Sequence, residues 1–169
     1  MRKSKIICLI PDKRNSKRIK NKNFVKINNS TLLKIVSGNV SKSKLIDKFY
    51  IASEKSQKVE NIVNKYKNFN FFVRSKKSCK DNTKTEVVIG EFLKNIDCKI
   101  LVLLQTTNPF IKYIHIDNAI KKFKRNSYDT LLSVVSSKHF LWKKSNLTSP
   151  LNYNIKNRKM SQYIKKYYV

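Results

Sequence analysis

The chain has 169 residues, 40% of them hydrophobic, which is long and apolar enough for a folded domain with its own core. Its formal net charge is +28, from 38 basic and 10 acidic residues, and such a charge attracts polyanions. Lys, Asn and Ile are abundant while Gly and Pro are scarce, and AT-rich codon usage produces the same composition. The charge alone is therefore poor evidence for a nucleic-acid-binding protein.

The cysteines and the apolar runs exclude several other classes of protein. The three cysteines lie far apart in the sequence, so the chain has no C-x-x-C motif. They also form no zinc-ligand pattern with the two histidines. They are therefore expected to be free thiols in a reducing compartment. The apolar run at residues 6–10 is too short for a signal sequence or a membrane span. We expect a soluble cytoplasmic protein with no membrane partner.

Strand and helix patterns alternate along the chain. Five short apolar runs, rich in β-branched or aromatic residues, predict buried strands at residues 5–10, 48–52, 70–73, 99–104 and 130–135. Apolar residues at helical spacing lie between them: Leu32, Ile35, Val36; Val59, Ile62, Val63, Tyr66; Ile89, Phe92, Leu93, Ile96; Ile116, Ala119, Ile120, Phe123. The alternation predicts an α/β fold with a mostly parallel sheet covered by helices on both faces.

The loops that follow the strands are the candidate ligand sites, because ligands of such folds bind beyond the carboxyl ends of the strands. The first loop, PDKRNSKRIKNKN, is rich in cations that suit phosphates, and Asn15 can supply the left-handed backbone of a phosphate loop. A solvated basic loop explains its spacing equally well. Arg74 ends the third strand, and Gln105 opens the uncharged segment QTTNPF, which suits hydroxyls or a base edge. A turn and helix cap explain that segment equally well.

Five segments of the chain share their order and spacing with the motifs of one enzyme family. They are IICLIPDKRNSKRIKNKN, RSKKSCKDNTKTEVV, VLLQTTNPF, LLSVVSSKHFLWKK and PLNYNIKNRKMSQYIKKYY. Together they resemble the acylneuraminate cytidylyltransferases, also called CMP-N-acetylneuraminic acid synthetases. One such segment is weak evidence, but five in order are specific, and the resemblance covers essentially the whole chain. Kdo cytidylyltransferases match less well, because they lack the N-S-K-x-x-x-x-K-N form.

The resemblance implies a Rossmann-like three-layer nucleotidyltransferase fold. It implies a nucleotide-binding domain at residues 1–142 and a dimerisation and sugar-side extension at residues 143–169. The implied reaction transfers CMP from CTP to a nonulosonic acid of the sialic type and releases pyrophosphate, for the synthesis of surface glycans such as lipopolysaccharide. Mg²⁺ is the implied cofactor, and a homodimer is the implied assembly.

The resemblance also assigns roles to individual residues. Lys22 and Lys13 would neutralise charge on the triphosphate as catalytic residues, although Lys13 replaces a family arginine and so offers a point charge instead of a forked donor. The implied nucleotide-binding residues are Pro11, Asn15, Ser16, Lys17, Asn23, Arg74 and Thr85. The implied sugar-binding residues are Gln105 and Lys143.

Departures from the family pattern lead to further expectations. Asp12 replaces a family alanine, and its negative charge would weaken triphosphate binding or assist a metal. Asn29 stands where the family has glycine. The family's metal-binding aspartates would fall beyond Val169, so we expect a C-terminally truncated member whose metal ligands are unassigned. Two other hypotheses stay open: a non-catalytic remnant that binds nucleotide and, with less support, a basic nucleic-acid-binding domain.

Overall fold

The computed structural model describes residues 6–13, 19–80, 82–137, 139–143, 149–157 and 167–168. The chain forms two compact units, Met1–Ser127 and Tyr128–Val169. The elements of the first unit are, in chain order, β1 (Ile6–Pro11), a 3-10 turn (Lys22–Phe24), β2 (Lys26–Ile27), β3 (Ser30–Thr31), α1 (Leu32–Val40), β4 (Lys48–Ser53), α2 (Gln57–Val63), β5 (Phe69–Val73), α3 (Thr85–Asn95), β6 (Ile100–Leu103) and α4 (Tyr113–Arg125).

The four longer strands form one parallel sheet in the order β5–β4–β1–β6. β1 is central, since Leu9 pairs with Tyr50 of β4 on one side and with Leu103 of β6 on the other. Residues 6–10 are all buried, as expected for a parallel strand that is covered on both faces. Each of the four strands ends within one residue of its predicted bounds, so the predicted parallel sheet is confirmed.

Helices cover both faces of this sheet. Successive side chains of β1 point to opposite faces. Cys8 and Ile10 belong to a cluster that includes buried residues of α1, α2 and α4. Ile7 and Leu9 belong to a second cluster with Phe92 of α3. The first unit is therefore a helix–sheet–helix sandwich, which confirms the predicted three-layer α/β fold.

The helical spacing locates α3 correctly, but one residue of the predicted apolar stripe lies outside the core. The buried residues of α3 are Val88 and Phe92, whereas Leu93 is 46% exposed. Each residue turns a helix by about 100°, so Leu93 lies to one side of the stripe that Val88 and Phe92 define.

The prediction of a strand at residues 130–135 is wrong, because this segment has no regular secondary structure. Leu132, Val134 and Val135 are 76%, 52% and 71% exposed. Apolar and β-branched residues favour a strand, but a strand also needs a neighbour for its backbone hydrogen bonds. No described strand pairs with residues 130–135, and β6 is an edge strand within the described part of the chain.

The second unit has short antiparallel pairs instead of a further strand–helix repeat. They join β7 (Ser136–Ser137) with β10 (Tyr167–Tyr168), and β8 (Trp142–Lys143) with β9 (Ser149–Pro150). The ring of Tyr153 packs edge-on against Phe140 and Trp142, with ring centroids 4.8 and 5.8 Å apart.

None of the described helices could span a membrane, since each falls far short of the roughly 20 apolar residues that a span requires.

The burial of Phe49 and the exposure of Phe110 predict very different losses of stability when each is replaced by alanine. Phe49 is 1% exposed, and its ring stacks on Phe69 with centroids 4.6 Å apart. We expect Phe49→Ala to lower the free energy of unfolding by about 3–5 kcal/mol, because it removes buried apolar area and leaves a cavity. Phe110→Ala, at a side chain that is 85% exposed, is the matched control and should change it by about 0.5 kcal/mol or less. Urea denaturation measures both, and equal losses would contradict the described core.

Candidate functional site

A buried polar network lies at the carboxyl edge of the sheet. Its centre is Asp12, which follows β1 directly and is 1% exposed. One carboxylate oxygen accepts a hydrogen bond from Asn23 Nδ2 at 2.5 Å, and the other accepts one from Ser53 Oγ at 2.8 Å. Thr106 Oγ1 donates in turn to Asn23 Oδ1 at 2.8 Å. These bonds satisfy polar groups whose burial would otherwise be costly.

The parallel sheet explains why residues so far apart in sequence meet here. Ser53 is the last residue of β4, and Thr106 follows β6 by three positions. The carboxyl ends of parallel strands lie at the same edge, so Asp12, Ser53 and Thr106 are neighbours. The backbone N–H of Asp12 also donates to Ala52 O at 2.8 Å, which extends the pairing of β1 with β4 up to the network.

Asn23 reaches this edge from the basic loop that follows β1. It belongs to the 3-10 turn, which begins after Asn21 in the left-handed conformation at φ 53° and ψ 34°. Asn tolerates that conformation better than most residues do. The side chain of Asn23 is 3% exposed, whereas Lys22 beside it is half-buried. Asn23 thus anchors the turn, and the turn carries Lys22 at the carboxyl edge.

Arg74 joins the network from the end of β5 and is 8% exposed. Its Nη1 donates to the backbone carbonyl of Asp12 at 2.9 Å, and its Nη2 donates to the carbonyl of Ser78. The backbone N–H of Arg74 donates to Ser53 O at 2.9 Å. Its Nε is buried without a hydrogen-bond partner within the described part of the chain. Arg74 therefore joins the ends of β1 and β5 and brings a positive charge close to Asp12.

Glu91 of α3 supports the loop that follows Arg74. Its Oε1 accepts a hydrogen bond from the backbone N–H of Ser75 at 2.7 Å. Burial favours the neutral form of the carboxyl, but hydrogen bonds from Ser78 and Ser75 and the charge of Arg74 outweigh it and lower the pKa of Glu91. The loop is thereby held by an ionised side chain at neutral pH.

The titratable residues place limits on the chemistry of the site. Cys8 lies within β1, and burial raises the pKa of its thiol, so it is a core side chain and not a nucleophile. Over the described ranges, no group of three His, Cys, Asp or Glu side chains could hold a metal ion. Both carboxylate oxygens of Asp12 already accept hydrogen bonds from protein groups.

The structure brings some of the implied site residues together. Asn23 and Arg74 both contact Asp12, and Lys13 follows Asp12 directly. Pro11 is the last residue of β1 and pairs with Ala52.

Other implied residues lie outside the network. Thr85 is the first residue of α3, and Gln105 is exposed after β6; within the described ranges, neither side chain hydrogen-bonds to the network. Lys143 is an exposed residue of β8 in the second unit. The three remaining implied residues lie outside the described residues: Asn15, Ser16 and Lys17.

A cavity of about 520 Å³ lies elsewhere in the first unit, on the C-terminal half of α4. It is lined by Asn118, Lys121, Lys122, Arg125 and Asn126. None of these residues belongs to the network, so the carboxyl edge, where polar side chains converge, is the better candidate for chemistry.

A comparison with protein families identifies the chain. A family model described as Cytidylyltransferase matches residues 7–167. The chain belongs to the cytidylyltransferase family. No curated protein matches it.

Several solved structures resemble this chain in fold. A CMP:2-keto-3-deoxy-manno-octonic acid synthetase complexed with CTP has 16% identity and a TM-score of 0.59, over 73% of this chain and 49% of that one. A cytidylyltransferase from Leptospira borgpetersenii has 21% identity and a TM-score of 0.56, over 73% and 50%. A 4-diphosphocytidyl-2C-methyl-D-erythritol synthase from Anaerococcus prevotii has 16% identity and a TM-score of 0.68, over 98% and 67%. The chain spans about half the length of the first two structures.

Sequence reasoning missed two members of the network at the carboxyl edge. Ser53 and Thr106 are small polar residues that lie at or just beyond the ends of strands, and that position is the only signal they offer in the sequence. The sequence analysis singled out Gln105 of the same segment as a sugar-binding residue. Gln105 is exposed, whereas its neighbour Thr106 is buried, with 4% of its surface accessible. The expected effect of Asp12 on triphosphate or metal binding stays a prediction. The structure adds that its buried carboxylate accepts hydrogen bonds from Asn23 and Ser53 at the edge of the sheet.

The lowered pKa of Glu91 predicts a pH-dependent contribution to stability. A carboxyl whose pKa is depressed by folding stabilises the protein above its unfolded pKa, near 4.5, and loses that contribution as the pH falls through the lower folded value. We expect Glu91→Gln to lower the free energy of unfolding at pH 7 by about 1 kcal/mol, with the difference from wild type shrinking below pH 4.5. Glu86→Gln, at an exposed position of the same helix, is the control. Urea denaturation at pH 7 and pH 3 measures the free energy of unfolding of each variant. A difference between Glu91→Gln and wild type that is the same at both pH values would contradict the prediction.

Proposed function

We propose that the protein binds CTP at the carboxyl edge of the sheet and transfers CMP to a nonulosonic acid, with release of pyrophosphate. One observation carries the proposal: the basic loop after β1 is anchored by Asn23 to the network on Asp12, which holds Lys22 and Lys13 beside the strand ends. Membership of the cytidylyltransferase family supports the choice of nucleotide. The resemblance of five segments to acylneuraminate cytidylyltransferases supports the choice of acceptor.

The proposed reaction is an in-line displacement at the α-phosphorus of CTP. The anomeric oxygen of the sugar acid forms the new bond to this phosphorus, and its proton leaves to solvent. The bond from the α-phosphorus to the bridging oxygen breaks, and pyrophosphate departs with the electron pair. The protein's contribution is the positioning of the two substrates and the stabilisation of negative charge.

Lys22 and Lys13 are proposed to supply the positive charge. Both side chains are half-buried, and partial removal from water strengthens their interaction with a phosphate. A lysine ammonium is a compact point charge, so it follows charge that moves onto the departing pyrophosphate without the fixed geometry of a guanidinium. The 3-10 turn fixes the backbone of Lys22 before the substrate arrives.

Arg74 is proposed to line the nucleotide site from its buried side, at the end of β5. Its two Nη atoms already donate to backbone carbonyls, so it would act on the nucleotide through its charge and its Nε and not as a forked donor. Pro11, Asn15, Ser16, Lys17, Asn23 and Thr85 remain the proposed nucleotide-side residues. Gln105 and Lys143 remain the proposed sugar-side residues.

The carboxylate of Asp12 does not fit the Mg²⁺ that the resemblance implies, because its two oxygens already accept hydrogen bonds from Asn23 and Ser53. Mg²⁺ in nucleotide sites is usually bound through one or two carboxylates together with waters and substrate phosphates. The described residues contain no group of three candidate metal ligands, and Asp12 is the carboxylate of the network at the carboxyl edge. We therefore assign no step of the proposed reaction to a metal.

The same observation favours a second candidate function, in which the chain binds CTP without transferring CMP. Lys13 and Lys22, which are proposed to face the triphosphate, follow β1 at the carboxyl edge, whereas the described residues contain no group of three candidate metal ligands.

A homodimer, which the resemblance also implies, is proposed for both candidate functions. Analytical ultracentrifugation of the protein with and without CTP tests that assembly.

CTP binding is the first test of the proposal. We expect CTP to raise the melting temperature and to bind more tightly than UTP or ATP. We expect Lys22→Ala to weaken CTP binding about tenfold, because it removes one charge-assisted contact, equivalent to about 1.4 kcal/mol. Lys42→Ala, at an exposed position after α1, removes the same charge elsewhere and should change the dissociation constant about twofold or less. Isothermal titration calorimetry measures both.

Product formation separates the two candidates. We expect pyrophosphate release from CTP with a nonulosonic acid in a panel that also contains 2-keto-3-deoxy-manno-octonic acid and a 2C-methyl-D-erythritol derivative. Tight CTP binding without pyrophosphate would favour the binding-only candidate. Absence of CTP binding, together with salt-dependent binding of a DNA oligonucleotide, would contradict the proposal and favour a nucleic-acid-binding protein.

A further inference from the structure

The hydrogen bonds of the network run in one direction, toward the carboxylate of Asp12. Thr106 Oγ1 donates to Asn23 Oδ1, and Asn23 Nδ2 donates to Asp12 Oδ1. Ser53 Oγ donates to the other carboxylate oxygen. Both polar ends of the Asn23 amide are thereby occupied, and a rotation of this amide would break two buried hydrogen bonds at once.

Asn23 lies within the turn that bears Lys22. Within this turn, Lys22 N–H donates to Ile19 O at 3.2 Å, Phe24 N–H to Asn21 O at 2.8 Å, and Val25 N–H to Lys22 O at 3.3 Å. A single short turn is marginal by itself, since 3-10 hydrogen bonds are few and poorly aligned. The side chain of Asn23 is the buried polar anchor that ties this turn to the sheet.

We propose that Thr106 and Ser53 are positioning residues for Lys22, acting through Asn23 and Asp12. Thr106 fixes the acceptor end of the Asn23 amide, and Ser53 fixes the carboxylate that receives its donor end. The inference deepens the proposed function and rests on it for the role of Lys22. Thr106 is 4% exposed and Ser53 is 1% exposed, so each acts through its neighbours and not by direct contact with substrate.

The arrangement places the anchor on rigid elements. Ser53 lies in β4 and pairs with Val73 of β5, while Thr106 follows β6 closely. Two strand ends on opposite sides of β1 therefore support the 3-10 turn at Lys22–Phe24. A turn supported in this way keeps the backbone of Lys22 in place without a ligand, which lowers the entropy lost on binding.

Thr106→Val tests the inference, because it keeps the shape of the side chain and removes only the hydroxyl donor. We expect amide hydrogen exchange at Lys22, Phe24 and Val25 to accelerate about tenfold, and CTP to bind about tenfold more weakly. Thr106→Ser, which keeps the hydroxyl, should restore both values to within about threefold of wild type. Val59→Ala, a core substitution in α2, is the control for general destabilisation and should alter neither value specifically.

The exchange and binding measurements separate the inference from the proposed function. If Thr106→Val and Thr106→Ser exchange alike at the turn, or if Val59→Ala gives the same acceleration there, the positioning role is wrong. If exchange responds as expected but wild-type protein binds no CTP, the anchor is supported and the proposed function fails. If exchange responds while CTP binding is unchanged by Thr106→Val, the assignment of Lys22 as the positioned group is overturned.

Discussion

Burial of the Asp12 carboxylate is the constraint on which the candidate site depends. A carboxylate taken out of water costs several kcal/mol unless hydrogen bonds replace its hydration. Here the replacement donors come from the loop after β1 and from the end of β4, while Arg74 binds the backbone of the same residue. Satisfying one buried group therefore brings three parts of the chain together. The four-stranded sheet and the basic loop are joined at this point.

The network also answers a problem that the composition creates. A chain with a formal charge of +28 repels itself, and the loop after β1 is one of its most basic stretches. Left to electrostatics, such a loop would extend into solvent. The buried amide of Asn23 ties the 3-10 turn at Lys22–Phe24 to the sheet through its hydrogen bond to Asp12. A neutral side chain makes this attachment, and Lys22 lies directly beside it.

The fold was largely predictable because hydrophobic patterning is a local property. Residues 6–10 are apolar at every position, and a parallel strand covered on both faces buries all of them. The same reasoning failed at residues 130–135, where the apolar run has no described partner strand. It failed in detail at Leu93, because spacing identifies the apolar side of a helix but the tertiary packing decides its width.

The candidate site also has features that local sequence patterns predict and features that depend on tertiary packing. Patterns of neighbouring residues were enough to predict the four strands of the sheet and the helices between them along the chain. They were also enough to find the basic loop after the first strand and the resemblance to cytidylyltransferases. Only the tertiary structure decided the function of Asp12, because its partners lie 11 and 41 positions away, and Thr106 lies 83 positions from Asn23. Hydrogen-bond satisfaction depends on which polar groups share the interior, and that is settled only when the strand ends meet.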